Sequence, residues 1–307
     1  WLLDKNHPLT SRVFVNRVWQ EFFGRGTVKT SGDFGMQGEL PTHPELLDWL
    51  AVDFMENGWD IKRLVKQIVM SSTYQQSGEV SERKLKADPE NKFLSRASRL
   101  RLPSEFIKDH VLASSGLLVR EIGGPSVKPY QPDGIWELST SGRGVLANYV
   151  QDHGDKLYRR GMYNFIKRTV PPPVMLMFDA SNRDQCEVRR VSTNTPLQAL
   201  IMMNDPMVLE ASRVLAERLM TQDLTTEERL EKAARLILCR KATEEEKVIL
   251  ARLYDEEEKY YQADPEKATE RLKGGEYKHE DVADATSTAA LMQVVSTLYN
   301  MDEAITK

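Results

Sequence analysis

The stretch TNTPLQALIMMNDP, Thr193–Pro206, announces helix starts by its chemistry. Thr195 precedes Pro196, and Gln198 follows three residues after Thr195. A threonine hydroxyl at that place accepts from the third backbone N–H, and the glutamine side chain reaches back to the cap. Proline at the first helical position gives up a donor that had no partner anyway. Asp205-Pro206, Thr225 with Glu228, Thr243 with Glu246, and Asp264-Pro265 repeat that grammar. The spacing beyond them predicts a final helix from about Thr286 to Tyr299.

Working outward to the N-terminus, Val13, Phe14, Val18, Trp19, Phe22 and Phe23 fall at helical spacing, with Gly24 as a stop. The Phe14, Trp19, Phe22 and Phe23 stripe reads as core. Pro44 opens a helix through Leu46, Leu47, Leu50 and Phe54 that closes at Gly58. Asp60 caps a third with Ile61, Leu64, Val65 and Ile68 on one face, and Pro103 starts another towards Ser115. Ser77 to Asn91 is polar, charged and contains Pro89, the pattern of an exposed connector. GGPSVKPYQPDGIWELSTSGRG, Gly123–Gly144, is rich in Gly, Pro and Ser with embedded aromatics; loops of this length are usually functional or disordered. LYRRGMYNFIKR, Leu157–Arg168, is ambiguous between strand and helix, and three prolines at 171–173 end it. No fixed-period repeat is present.

The expected fold is therefore mainly α: a multi-helix globular protein with a long irregular, loop-rich middle section. Residues 1–76 form an N-terminal helical part, 77–102 an exposed linker or loop, and 103–307 a helical part with a central loop region at 117–195. The two helical parts are read either as separate or as one continuous domain.

The 307 residues carry a net charge of −4, which argues against a general nucleic-acid binder. No apolar run approaches the roughly eighteen residues of a membrane span. The chain starts at Trp1 with no signal-peptide pattern and reads as a processed or excised piece. Cys186 and Cys239 form no disulfide framework and no CxxC pair, so one disulfide or two free thiols are both open.

Seven segments stand in a familiar order: VFVNRVWQEFFGRG, GDFGMQGELPTHPELLDWLA, GGPSVKPYQPDGIWE, YVQDHGDKLYRRGMY, KRTVPPP, FDASNRDQCEVRR and TNTPLQALIMMND. The chain resembles, over nearly its whole length, the C-terminal domain of unknown function numbered 1553 of planctomycete-type, cytochrome-c-bearing proteins. The resemblance implies an exported, extracytoplasmic protein associated with polysaccharide breakdown. It also implies haem-bearing and companion domains of the same polypeptide as partners, and supplies no catalytic residues to carry over. This chain holds no CxxCH, since Cys186 precedes Glu187 and Cys239 precedes Arg240, so no haem attachment and no other cofactor is expected within it.

The residues themselves offer one candidate region. FDASNRDQCEVRR crowds Asp179, Asn182, Arg183, Asp184, Cys186, Glu187, Arg189 and Arg190 ahead of the Pro196 helix. From Lys156 to Arg190 eight basic residues face three acidic ones, a local excess of five positive charges. Lys156, Arg159, Arg160, Lys167, Arg168, Arg183, Arg189 and Arg190 could attract an anionic saccharide or an acidic partner domain. They could equally be consumed by internal carboxylates, since the arginine fork pairs bidentately with them. Tyr130 and Trp136 read either as platforms for sugar rings or as plugs that hold the loop. His153, between Asp152 and Asp155, is a candidate acid–base group, Asp179 a second, and Cys186 among arginines a candidate thiolate. No metal-ligand spacing, GxSxG or GxGxxG is present.

Three functions remain. One is a non-haem module binding an anionic or neutral saccharide through Arg183, Arg189, Arg190, Asn182, Tyr130 and Trp136. The second is a helical scaffold that docks haem and companion domains. The third is part of a sugar-oxidising enzyme, for which the chain itself supplies no redox group.

Overall fold

Capping fixes the frame as the side chains require. Thr225 Oγ1 accepts from Glu228 N at 3.3 Å while Glu228 accepts from Thr225 N at 2.8 Å, and Thr243 with Glu246 repeats this at 3.2 and 2.8 Å. These contacts come from a computed structural model that describes residues 1–140, 143–144, 146–181 and 183–307, with Thr140 described by its backbone alone. Fifteen α-helices and no strand lie among the described residues, so the fold is mainly α. Their order divides into two units, 1–100 together with Lys307, and 101–306.

The first unit holds α1 (Thr10–Phe23), α2 (Pro44–Glu56), α3 (Ile61–Val69), α4 (Ser72–Gln75) and α5 (Glu82–Ala87). Val15, Trp19, Phe23, Leu47, Leu50, Phe54, Leu64 and Ile68 interdigitate as its core. The aromatic stripe is largely in place, with Trp19 stacked on Phe23 at 4.3 Å and Phe14 stacked on Phe54 at 5.1 Å. Polar residues 77–100 fold onto this unit: Asp88 is buried and accepts from Lys92 N and Phe93 N, and Ala97 N donates to Ser77 O.

The second unit holds α6 (Ser104–Ser115), α7 (Ile135–Thr140), α8 (Pro173–Met177), α9 (Pro196–Asn204), α10 (Pro206–Met220), α11 (Thr226–Leu238), α12 (Glu244–Ala263), α13 (Pro265–Leu272), α14 (Ala285–Tyr299) and α15 (Asp302–Ile305). Its centre is α14, which Asp284 caps and whose Leu291, Val294, Val295, Leu298 and Tyr299 have no exposed surface. A helix so rich in buried apolar residues belongs inside, and α10, α11, α12 and α13 pack against it. The middle section is irregular. Leu157–Arg168 forms neither a strand nor an α-helix but 3₁₀ turns at Gly154–Tyr158 and Gly161–Tyr163. Single bridges tie it to residues 119 and 127.

Candidate functional site

The site grows from α6. Its sequence SEFIKDHVLASS puts Ile107, Val111 and Leu112 into the core, and Lys108 goes under with them at 7 % exposure. A buried ammonium needs partners. The Lys108 Nζ donates to Asn164 Oδ1 at 2.8 Å, and Asn164 Nδ2 points on to Met175 Sδ at 3.3 Å. That is the one hydrogen bond the Lys108 ammonium makes among the described residues. Burial lowers the Lys108 pKa to about 8, with Asp109 and Asp205 pulling it partly back up.

Asn164 is placed by a close approach of the preceding turn to α6. A Cβ on Gly161 would stand 2.7 Å from Glu105 O, so only glycine lets the two backbones meet. Asp109 secures the contact by accepting from Gly161 N at 2.7 Å and from Arg160 Nε at 2.8 Å.

Asp205 comes from the junction of α9 and α10. Its backbone N–H closes α9 on Ile201 O at 2.8 Å, and its Oδ1 opens α10 by accepting from Met207 N and Val208 N at 3.0 and 3.2 Å. Burial raises the pKa of its carboxyl, against the opposing pull of those two N–H groups and of Lys108.

Ser104, Lys108, Tyr130, Asn164 and Asp205 line one recess of about 60 Å³. Pro129, Pro132, Pro172, Pro173, Met175 and Phe178 are among its apolar walls. A few convergent polar groups in an apolar cleft is the usual form of a small-ligand site.

Behind Tyr130 lies a buried charge network. Glu210, fully buried, accepts from Tyr130 OH at 3.1 Å, Tyr158 OH at 3.0 Å and Tyr277 N at 2.7 Å. Arg213, also fully buried, pairs with Glu217 at 2.9 Å and donates to Gly274 O and Tyr277 O. A side chain on Gly275 would collide with the Glu210 carboxylate, which is why the chain turns there on glycine. The network bolts segment 274–280 to α10 and holds the Tyr130 ring at the recess.

The sequence candidates scatter. Arg159 is buried, bonded to the carbonyls of Glu121, Gly123 and Pro125, and lies over the Tyr163 ring at 4.0 Å. Lys167 donates to Leu146 O at 2.9 Å and covers the Trp136 ring at 4.5 Å. Trp136 is 1 % exposed, so it is the plug of the alternative reading and offers no platform. Arg160 is taken by Asp109, and Arg190 pairs with Glu105 at 2.7 Å. Burial pushes the Glu105 carboxyl up, but the Arg190 bond and charge, its own backbone and Ser104 outweigh that and hold it below its ordinary value.

Asp179, with left-handed backbone, accepts from Arg101, from Thr193 N at 2.8 Å and from Thr193 Oγ1 at 2.9 Å, and so ties the loop shut. His153 is exposed and meets Glu276 at 2.7 Å, away from the recess. Cys186 and Cys239 are both free and exposed. Arg168, Arg183 and Arg189 face solvent. Asn182 lies outside the described residues. Of the sequence candidates among the described residues, Tyr130 alone lines the recess; Lys108, Asn164 and Asp205 were missed. The Asp205-Pro206 cap pattern was the one available signal, and it pointed to a helix rather than to a site.

Among the described residues no three His, Cys, Asp or Glu side chains are grouped to hold a metal ion, and no helix is long and apolar enough to cross a membrane. A family model described as "PSD1: Protein of unknown function (DUF1553)" matches residues 1–254. No curated protein and no solved structure matches the chain.

Proposed function

Since the chain belongs to this PSD1 family of unknown function, we propose from its own geometry that it is a non-haem module binding the end of a neutral saccharide. The observation that carries the reading is the buried Lys108 ammonium, singly bonded to Asn164 and sharing its recess with Asp205 and Tyr130. The Lys108 ammonium and the Asp205 carboxyl give the recess a donor and an acceptor for a hydroxyl, and its proline and Phe178 walls suit the C–H surface at the end of a sugar. Lys108 is the one cation of the recess lining, and Asp109 and Asp205 both act on it, which favours a neutral ligand over a sulfated or carboxylated one. The wider setting, an exported, cytochrome-linked protein acting near polysaccharide breakdown, is part of the same proposal.

Calorimetric titration with methyl glycosides, uronic acids and sulfated sugars tests it. The expected result is binding of a neutral glycoside that weakens at least tenfold in Lys108→Met and Asp205→Asn. Binding that neither substitution alters would place the ligand elsewhere.

A second reading, a scaffold docking companion domains, is favoured by the exposed apolar side chains Leu197, Leu200 and Met203 on α9. Leu200→Glu in the full polypeptide would then weaken domain association without touching sugar binding.

A further inference from the structure

Resting on the reading of the recess as a ligand site, we propose that Lys108 is an amine nucleophile that captures an aldehyde, the open-chain end of a reducing sugar or a small hydroxyaldehyde, as an imine. Three features of the recess carry this. Lys108 lines the recess, and among the described residues its Nζ makes a single hydrogen bond, as donor to Asn164, so once deprotonated its lone pair is not tied to any described donor. The surrounding Ile107, Met175, Phe178, Met202 and Val208 disfavour the charged ammonium. A desolvated lysine in an apolar pocket is the standard form of an imine-forming amine. Asp205 lines the same recess and supplies a carboxyl whose pKa burial raises.

The chemistry closes without an oxidant or reductant. The Nζ lone pair attacks the carbonyl carbon and forms the C–N bond, and the proton lost by nitrogen passes to the carbonyl oxygen. The resulting carbinolamine loses its hydroxyl as water, with the proton supplied by the Asp205 carboxyl. The second nitrogen proton returns to Asp205, leaving a C=N bond. Amine and aldehyde become imine and water. A recess of about 60 Å³ accommodates a two- or three-carbon hydroxyaldehyde.

The carboxyl groups that act on Lys108 when ionised are Asp109 from its own helix and Asp205 from the α9–α10 junction, which becomes a proton donor only after taking up a proton as Lys108 gives up its own. Both favour the ammonium and neither overcomes burial, so the neutral amine is populated near pH 8.

The experiment is reductive trapping. Wild type and Lys108→Arg are incubated with glycolaldehyde and cyanoborohydride from pH 6.5 to 9.5, and the labelled peptides are mapped by mass spectrometry. The expected result is labelling at Lys108 at least tenfold above exposed lysines such as Lys66 and Lys278, levelling off above about pH 8. Lys108→Arg, checked for an unchanged circular dichroism spectrum, should leave only the exposed-lysine background. Labelling of Lys108 no faster than Lys66 would overturn the inference. A methyl glycoside, which has no free aldehyde, separates the two claims. If it binds while Lys108 stays unlabelled, the amine chemistry fails and the site reading stands; if Lys108 labels and no glycoside binds, the saccharide reading fails and the amine stands.

Discussion

Lys108 shows how a single side chain can set a pH window. In the unfolded chain it keeps its proton up to its ordinary 10.5, while in the folded protein it releases it above about 8. Between those values the unfolded state holds more protons, so stability rises with pH across that window and its deficit is complete below it. The shift corresponds to roughly 3 kcal/mol. Lys108→Met should therefore keep or raise the thermal midpoint at pH 7 while abolishing ligand binding, and should flatten the rise between pH 8 and 10.

Arg190 and Arg189 form a contrasting pair. Arg190→Ala strands the Glu105 carboxylate and should cost about 1–3 kcal/mol, whereas Arg189→Ala should stay within about 0.5 kcal/mol. Chemical denaturation of the two variants checks this. Neither Lys108 nor this difference was legible beforehand. SEFIKDH reads as a helix with a polar lysine, and its burial depends on Asn164 and Asp205 arriving from distant segments. Likewise, nothing within FDASNRDQCEVRR says which arginine finds Glu105.

At the scale of elements, the helix starts were the most legible part, because a cap is a contact within four residues. Thr225→Ala should cost about 1 kcal/mol, or about 2–4 °C in midpoint. The Arg240 side chain, bonded to Glu246 at 2.7 Å and also to Glu303, lowers the Glu246 pKa to about 2. Its contribution is present above the ordinary carboxylate value of 4.5 and is lost as pH falls towards 2. Arg240→Gln should then cost up to about 1 kcal/mol at neutral pH and nothing at the acid end. Inside α10 the stakes are higher. Arg213→Met leaves Glu210 and Glu217 buried without their cation, and should cost about 3–5 kcal/mol in urea unfolding. The 3₁₀ turn at Gly161–Tyr163 escaped the sequence because it owes its place to the bonds that Asp109 of α6 accepts from Arg160 and Gly161. Periodicity carries no trace of that.

For the whole molecule, mainly α architecture followed from punctuation and spacing alone. The extent of each unit did not, since the polar run 77–100 gives little sign that Asp88 turns inward. The largely buried α14 should be the last element to exchange its amide hydrogens, with Leu291 to Leu298 reporting the global stability of the second unit. Hydrogen exchange followed by NMR would show this as protection highest in α14 and lowest in the exposed segment before Thr193.

The missing side chain at Gly161 has a further consequence. The turn is seated directly on Glu105 O, and this close backbone approach keys it to α6. In the proposed site the α6 side of the recess is the more firmly held one, and adjustment to a guest would fall to the walls that carry Pro129, Pro132 and Pro172. Proline fixes φ and leaves those walls little freedom, so the proposed site would select by fit rather than by reshaping around what enters.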